Sequence, residues 1–539
     1  MTMNLADAFE ALSDSIADRE ALYFEGARLN YAELDEGANK VGHFLESIGI
    51  GKNDHVAMHM RNSLEFVEAL IGSLKVRAVP ANINFRYTSS ELEYLYSNSD
   101  SKLIIIDSEF TGIAGEILAR LGELQHVLVV GEVTDAFARQ CSDAGVGVSA
   151  WSDVIPEQSK DRGFPERSGD DRYMVYTGGT TGHPKGVVWT HTDFYYAALA
   201  GGNQYGDPHD TIEELCKAAK DTPAMSLLVT APLIHGAAVY AMFSMFFMGA
   251  KQVLMRNWDP VEALSLIGSE KVQIIMIVGD AMGVPFVDEL VDNVDSYDVS
   301  SLFAVNSGGA IWSQASRDKL KTVLPDIFIR DNFGASESGT DGQLSMNDAG
   351  ELRLPPSPRS IVIDELLDPI EPGSDAIGYL ARVGHVPLKY YKDPEKSANV
   401  FKTLSDGRRM SVLGDMAKVE SDGSIVLLGR GSGCINTGGE KVFPEEVEQA
   451  LKAHPAIFDA LVAGTNDPKY GERVSAVVSL REGFDEPSPE ELAEHCRASL
   501  AGYKIPRSVI VVPEVLRSPS GKADYRWAKR MVADDDVAV

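Results

Sequence analysis

Up to about residue 350, short β-branched runs recur between stretches of helical spacing. The runs are KLIIID (102–107), HVLVVG (126–131), SLLVT (226–230), KQVLM (251–255) and VQIIMIVG (272–279). Strands that alternate with helices predict parallel sheets covered by helices on both faces. Thr88-Ser-Ser-Glu91 has the spacing of a capping box and predicts a helix over ELEYLY. No internal repeat or low-complexity tract interrupts this pattern.

The texture then changes. Pro-rich and Gly-rich turns (RLPPSPRS, DPIEPGSD) lead into AKVESDGSIVLLG, which predicts a hairpin turning at Asp422-Gly423. RGSGCINTGG follows and reads as a linker or hinge. Beyond it, PEEVEQALKAH and PEELAEHCRASL predict helices, and ALVAGT, SAVVSL and SVIVV predict strands. The expected fold class is α/β: a large body over 1–429, a joint at 430–433, and a small α+β C-terminal domain over 434–539.

No Asp, Glu, Lys or Arg occurs from Thr222 to Ala250, which raises the question of a membrane span. Pro232 and Gly236 break the run, and the remainder is a helix of only about 20 Å at 1.5 Å per residue. A buried strand and a helix against an apolar cavity are expected, not an integral membrane protein. Trp258, Met242, Phe246 and Phe247 are expected to pack the core, some of them lining that cavity.

Composition narrows the partners. The 539 residues carry a net charge of −31, which opposes nucleic-acid binding because a duplex demands a basic face. Small anions are not opposed, since a local cluster of donors acts within a screening length of about 8 Å. The four cysteines, Cys141, Cys216, Cys434 and Cys496, form no CxxC pair, which gives a zinc site no support and fits reduced thiols in the cytoplasm. The N-terminal stretch carries acids and no apolar h-region, so it is not expected to be a secretory signal.

YTGGTTGHPKG (176–186) carries the candidate chemistry. Gly178, Gly179 and Gly182 let backbone approach phosphate oxygens. Thr177, Thr180 and Thr181 offer hydroxyls, and Lys185 a point charge. The loop departs from the P-loop pattern, because Pro184 precedes Lys185 and Gly186 follows it.

This loop resembles the phosphate loop of the adenylate-forming superfamily, which includes acyl-CoA synthetases, luciferases of the firefly type and nonribosomal adenylation domains. The remaining motifs follow in that superfamily's order: SGGA (307–310), DNFGASE (331–337), GD (414–415), GR (429–430), GGEKVFP (438–444) and PSGK (519–522). INTGGEKVFPEEVE is most similar to bacterial fatty-acyl and steroid-side-chain CoA ligases.

The resemblance implies ATP, Mg²⁺ and coenzyme A, and it implies roles residue by residue. Thr177 to Gly182, Lys185, Gly308, Gly309, Ala310, Asp331, Asn332, Phe333, Gly334 and Ser336 are expected around ATP, Phe333 stacking on adenine and Asn332 reading its amino edge. Glu337 and Thr181 are the implied metal ligands. Asp415 is the implied ribose acceptor and Arg430 a nucleotide contact. Lys522 is the implied catalytic lysine, swung in by the small domain. His235, in APLIHGAA, is expected between acyl pocket and CoA channel, with a core histidine as the alternative. Gly438, Gly439 and Glu440 are implied in thioester formation, and Lys441 either meets a CoA phosphate or is solvated.

The pattern departs from the family at Phe333 (Tyr is commoner), Ser336 (Thr is commoner) and Ser432, where Asp or Lys is usual. Gly431 and Gly433 still permit a hinge around Ser432. The implied reaction is formation of acyl-AMP from a carboxylate and ATP, then of a CoA thioester. A ligase loading a carrier protein, an aryl-CoA ligase, and a nucleotide-binding regulator without catalysis are the alternatives. The uncharged segment fits a fatty, steroid or aryl acid equally. Relatives are commonly dimers.

Overall fold

The computed structural model describes residues 2–177, 184–310, 312–346, 351–430, 433–437, 440–467, 471–500, 502–517 and 523–535. Among these, three sheets organise the chain.

The largest sheet joins two halves of different character. Glu20–Phe24, Lys251–Leu254, Ser226–Val229, Ile274–Ile277, Ala304–Gly308 and Phe328–Ala335 lie side by side in parallel. Four of these strands are wholly buried or nearly so, because helices cover both faces. Gly339–Met346 then runs back against Phe328–Ala335, and the rest of the sheet is antiparallel. The expected hairpin is there, Arg409–Val419 against Ile425–Arg430, with Gly423 at φ +82 in its turn.

An 8-stranded sheet packs beside it, in the order Lys389–Tyr390, Lys185–Thr190, Arg172–Thr177, Val79–Asn82, His55–His59, Ser101–Asp107, His126–Val130, Gly147–Ala150. Helices Leu5–Ser15, Tyr31–Ser47 and Leu64–Lys75 pack with both large sheets in one apolar core. Trp189, Phe194, Tyr195, Phe243 and Phe246 lie fully inside it. The uncharged segment resolves as expected into a strand, Ser226–Val229, and a 12-residue helix, Gly236–Phe247, with Met242, Phe246 and Phe247 buried. Trp258 packs half-buried against a second core on the outer face of the parallel strands. No helix among the described residues is long and apolar enough to cross a membrane.

The third sheet forms the small C-terminal unit: Glu440–Val442, Ile435–Thr437, Gly471–Leu480, Ile457–Asp467 and Ser508–Val511, with helices Pro444–Lys452 and Pro489–Arg497. One expectation needs correction here. Ile435–Thr437, read as linker, is a strand paired with Glu440–Val442, because its carbonyls and amides find a ladder that its small side chains do not announce. A final helix, Tyr525–Asp535, was not read from the sequence at all.

Candidate functional site

Parallel strands place ligands beyond their carboxyl ends, where the chain leaves the sheet and backbone groups turn outward. Here Ala304–Gly308 ends at the SGGA motif, and Phe328–Ala335 carries DNFGA alongside it, with Ser307 opposite Asp331 and Gly308 opposite Asn332. The Ser307 hydroxyl accepts from Gly279 N–H at 3.2 Å and so ties the next strand's exit to this edge. Asn332 Oδ1 is buried without a hydrogen-bond partner among the described residues, which leaves one acceptor poised at the motif. Phe333 packs, partly buried, against the small core of the antiparallel half of the sheet that holds Leu354, Val362 and Ile425. Asp331 is engaged already: Arg317 pairs with it at 2.5 Å, and burial raises its carboxyl while Arg317 opposes the rise.

Glu337 sits in the tight turn that follows. A Cβ on Gly334 would overlap the Gly339 carbonyl oxygen, and Gly339 itself has φ +79, so both positions need glycine. Beneath the turn Ala335 N–H donates to Ser338 Oγ at 3.1 Å, Ser338 donates to Asp341 Oδ2 at 2.6 Å, and Arg382 pairs with Asp341 at 3.3 Å. Burial raises the Asp341 carboxyl, with Arg382 and Ser338 pulling the other way. The turn is thus fixed from below, and Glu337 is half-buried above it.

Tyr390 Oη donates to Glu337 Oε1 at 2.9 Å. The short strand Lys389–Tyr390 pairs with Val187 and Val188, which brings this tyrosine to the second arm of the YTGGTTGHPKG hairpin. That hairpin's arms are Arg172–Thr177 and Lys185–Thr190, with Thr177 opposite Lys185 across the loop mouth. Lys185 Nζ pairs with Asp393 and lies 5.8 Å over the Tyr390 ring. Lys185 holds the Asp393 carboxyl below its usual range, aided by Lys396 N–H. Lys185, Tyr390, Asp393 and Glu337 therefore form one linked group.

Backbone pairing in the hairpin sets Asp415 and Arg430 opposite each other. Asp415 lies inside the 11-residue strand Arg409–Val419, just before a bulge between Met416 and Ala417. Gly414, before it, adopts φ +91 within the strand.

His235 occupies the N-cap position of helix Gly236–Phe247, in extended backbone conformation. Two asparagines fix the turn before it. Asn62 donates to Ala231 O at 3.1 Å and accepts from Leu233 N–H at 2.7 Å, and Asn82 donates to the Ile234 carbonyl. A Cβ on Gly236 would stand 3.3 Å from Ser336 Oγ, so this turn abuts the one carrying Glu337.

Gly178, Gly179, Thr180, Thr181, Gly182, Gly431, Ser432, Gly438, Gly439 and Lys522 lie outside the described residues. Arg517 and Ala523 bridge across the stretch that holds Lys522, and Asp459 anchors Arg517 at 2.6 and 2.7 Å. The small unit touches the body through Lys452 and Asp280 at 3.2 Å, and Asp280 also accepts from Ser313 N–H.

Sequence reasoning missed Tyr390, Asp393, Asn62 and Asn82. No three His, Cys, Asp or Glu side chains gather into a metal-binding group among the described residues. A lone half-buried carboxylate still suits Mg²⁺, which takes one or two carboxylates and completes its shell with phosphate oxygens and water.

A profile described as AMP-binding enzyme matches residues 9–374, and one described as AMP-binding enzyme C-terminal domain matches residues 446–522. A medium/long-chain-fatty-acid–CoA/3-oxocholest-4-en-26-oate–CoA ligase of Mycolicibacterium smegmatis is 41% identical over 98% of this chain and 96% of its own length. A 3-oxocholest-4-en-26-oate–CoA ligase of Rhodococcus rhodochrous is 40% identical with the same coverage. Among solved structures, the anthranilate CoA ligase AuaEII in complex with anthranoyl-AMP superposes with a TM-score of 0.82 at 23% identity, covering 100% of this chain and 98% of that one. ATP-bound MatB from Rhodopseudomonas palustris gives 0.77 at 22%, covering 99% of each.

Proposed function

The chain belongs to the AMP-binding enzyme family, and on that footing we propose that it is an ATP-dependent acyl-CoA ligase acting on an apolar carboxylic acid, a fatty acid or a steroid side-chain acid. The observation that carries the reading is near-full-length similarity to CoA ligases, at 41% identity over 98% of the chain. The uncharged strand and helix over 222–250, with His235 at the helix N-cap position, supply an apolar wall for the acyl group.

In the first half-reaction the substrate carboxylate attacks the α-phosphate of ATP, the bond to the β-phosphate breaks, and pyrophosphate leaves. The nucleophile is already ionised at neutral pH, so no general base is required. The obstacle is the approach of two anions with charge growing on the phosphate, and fixed cations lower that barrier. Lys185 and the 178–182 loop take the phosphates, Asn332 and Phe333 the adenine, Asp415 and Arg430 the ribose side, and Lys522 the colliding anions. Mg²⁺, when bound, neutralises phosphate charge, and Glu337 is the residue placed to hold it, with Thr181 beside the same phosphates. The 434–539 domain then turns about 430–433, Gly438 to Lys441 enter beside the acyl-AMP, and the CoA thiol attacks its carbonyl with AMP leaving. The chain acts in the cytosol, where its four cysteines stay reduced.

Pyrophosphate release across a panel of medium-chain, long-chain, steroid side-chain and aryl acids, with and without CoA, tests the reading. Failure of every acid in the panel to release pyrophosphate overturns it, and release without thioester formation on CoA favours loading of a carrier protein. Lys522→Ala is expected to abolish most adenylation yet spare thioester formation from supplied acyl-AMP. Equal loss in both half-reactions contradicts the two-position domain.

A further inference from the structure

The nucleotide loop and the acyl-side turn come from different sheets. Thr177 ends a strand of the 8-stranded sheet, whereas His235 follows Ser226–Val229 of the larger one. One side chain joins them. Asn82 ends the strand Val79–Asn82, and its backbone is held by the neighbouring strand, Met58 being its register partner. Its carboxamide Oδ1 accepts from Tyr176 N–H at 2.7 Å, and Nδ2 donates to Tyr176 O at 3.2 Å. The same Nδ2 donates to the carbonyl of Ile234, the residue before His235.

These bonds have a structural logic. The strands Val79–Asn82 and Arg172–Thr177 share one register pair, Ala81 with Met174. The ladder then opens, and the Asn82 amide takes both backbone groups of Tyr176 in place of further strand pairing. A planar amide has one acceptor and two donor hydrogens. Serine could match either Tyr176 group but not both with Ile234 as well, and aspartate offers no donor. The Tyr176 hydroxyl is fixed separately, donating to Asn98 at 2.7 Å, so the residue before the loop is pinned at both ends. On the other side, Ile234 leads through His235 and Gly236 to Ser336, next to Glu337.

We propose that Asn82 is the positioning residue that couples the two substrate subsites, so that carboxylate bound beside the His235 turn tightens nucleotide bound beside Thr177 and Lys185, and the reverse. Its amide holds the backbones of Tyr176 and Ile234 together and so sets the spacing between the two subsites, on which an in-line attack on the α-phosphate depends. The inference rests on the ligase reading above.

Calorimetry on the full chain tests it. The dissociation constant of α,β-methylene-ATP, which cannot release pyrophosphate, is measured with and without a saturating amount of the acid that gave most pyrophosphate in the panel. In the native protein the acid is expected to tighten the nucleotide analogue about fivefold or more, the lower end of ordinary site coupling. In Asn82→Ala and in Asn82→Asp that factor is expected to fall below about twofold, while each ligand's solitary affinity stays within about threefold of native. A purely structural asparagine would weaken solitary binding and leave the coupling factor alone. Native-sized coupling in either folded variant overturns the proposal, as does absence of coupling in the native protein. If no acid releases pyrophosphate and the analogue does not bind, the ligase reading fails first, and that result is distinct from lost coupling.

Discussion

Replacing Tyr390 by phenylalanine removes one oxygen and little else. The side chain is 4% exposed, and its ring stays packed against Phe401 at a centroid distance of 5.2 Å. The ring face beneath Lys185 Nζ also survives. What goes is the 2.9 Å bond from Tyr390 Oη to Glu337 Oε1. A hydrogen bond to a charged group contributes about 1.5–3 kcal/mol. If that energy orients Glu337 for adenylation, the variant loses about ten- to 150-fold in kcat/KM for that half-reaction, at about 1.4 kcal/mol per factor of ten.

Acid-dependent exchange of pyrophosphate into ATP reads the first half-reaction, and thioester formation from supplied acyl-AMP reads the second. The exchange is expected to fall by the stated factor and its half-saturating Mg²⁺ to rise, while the second half-reaction stays within about twofold, because nothing in it draws on Glu337's orientation. Direct Mn²⁺ binding in the presence of ATP, followed by electron paramagnetic resonance, should weaken in parallel. Equal losses in both half-reactions, or unchanged metal dependence with slowed exchange, would refute the assignment of Tyr390 to Glu337.

Three further expectations concern the frame. Lys75 is fully buried, with Glu10 at 2.8 Å and Asp35 at 2.7 Å, so Lys75→Met strips a cation from two interior carboxylates; Arg167 and Arg162 still hold those acids, which places the loss at about 3 kcal/mol, the low end for a broken buried pair, measurable by denaturant unfolding. Glu448 is pushed up to about 8, first by burial and then by Glu445, against the pull of Val462 N–H, Lys452 and Arg517. Its folded form therefore keeps a proton that the unfolded chain releases above about 4.3, so its contribution to stability is whole below that pH and is lost as pH rises towards 8. Glu448→Gln should gain on the native protein in melting temperature from pH 5 to pH 8, and parallel curves would exclude the effect. Asp280→Asn keeps the acceptor for Ser313 N–H but removes the charge facing Lys452, and single-turnover measurements should show the two half-reactions shifting by unequal factors.

The elements with the strongest local signals were legible. The five runs read as strands are strands, and the Thr88 box caps Ser89–Asn98 with Glu91 accepting from Thr88 N–H at 2.8 Å. Local chemistry sufficed because cap and helix are neighbours in the chain. What escaped was set by distance along the chain. Lys75 stands in the apolar run LIGSLKV, which gives no hint of acids 65 and 40 residues away. Tyr390 reaches Glu337 only because a two-residue edge strand finds Val187 and Val188. Asn82 looks like a strand-end asparagine until the strand beside it stops pairing.

Lys185 makes the same point with a thermodynamic consequence. Read from the loop alone, it is an open ammonium awaiting phosphate. In the fold it already has Asp393, a residue 208 positions away, whose carboxylate also caps helix Pro394–Val400 through Lys396 N–H at 3.0 Å. A phosphate that takes this lysine must displace that carboxylate or share the cation with it. The lysine's contribution to phosphate affinity is then the difference between two pairings, not the Coulomb energy of a new one. The cap to Lys396 gives Asp393 a second partner, so it need not follow the lysine when the pairing changes.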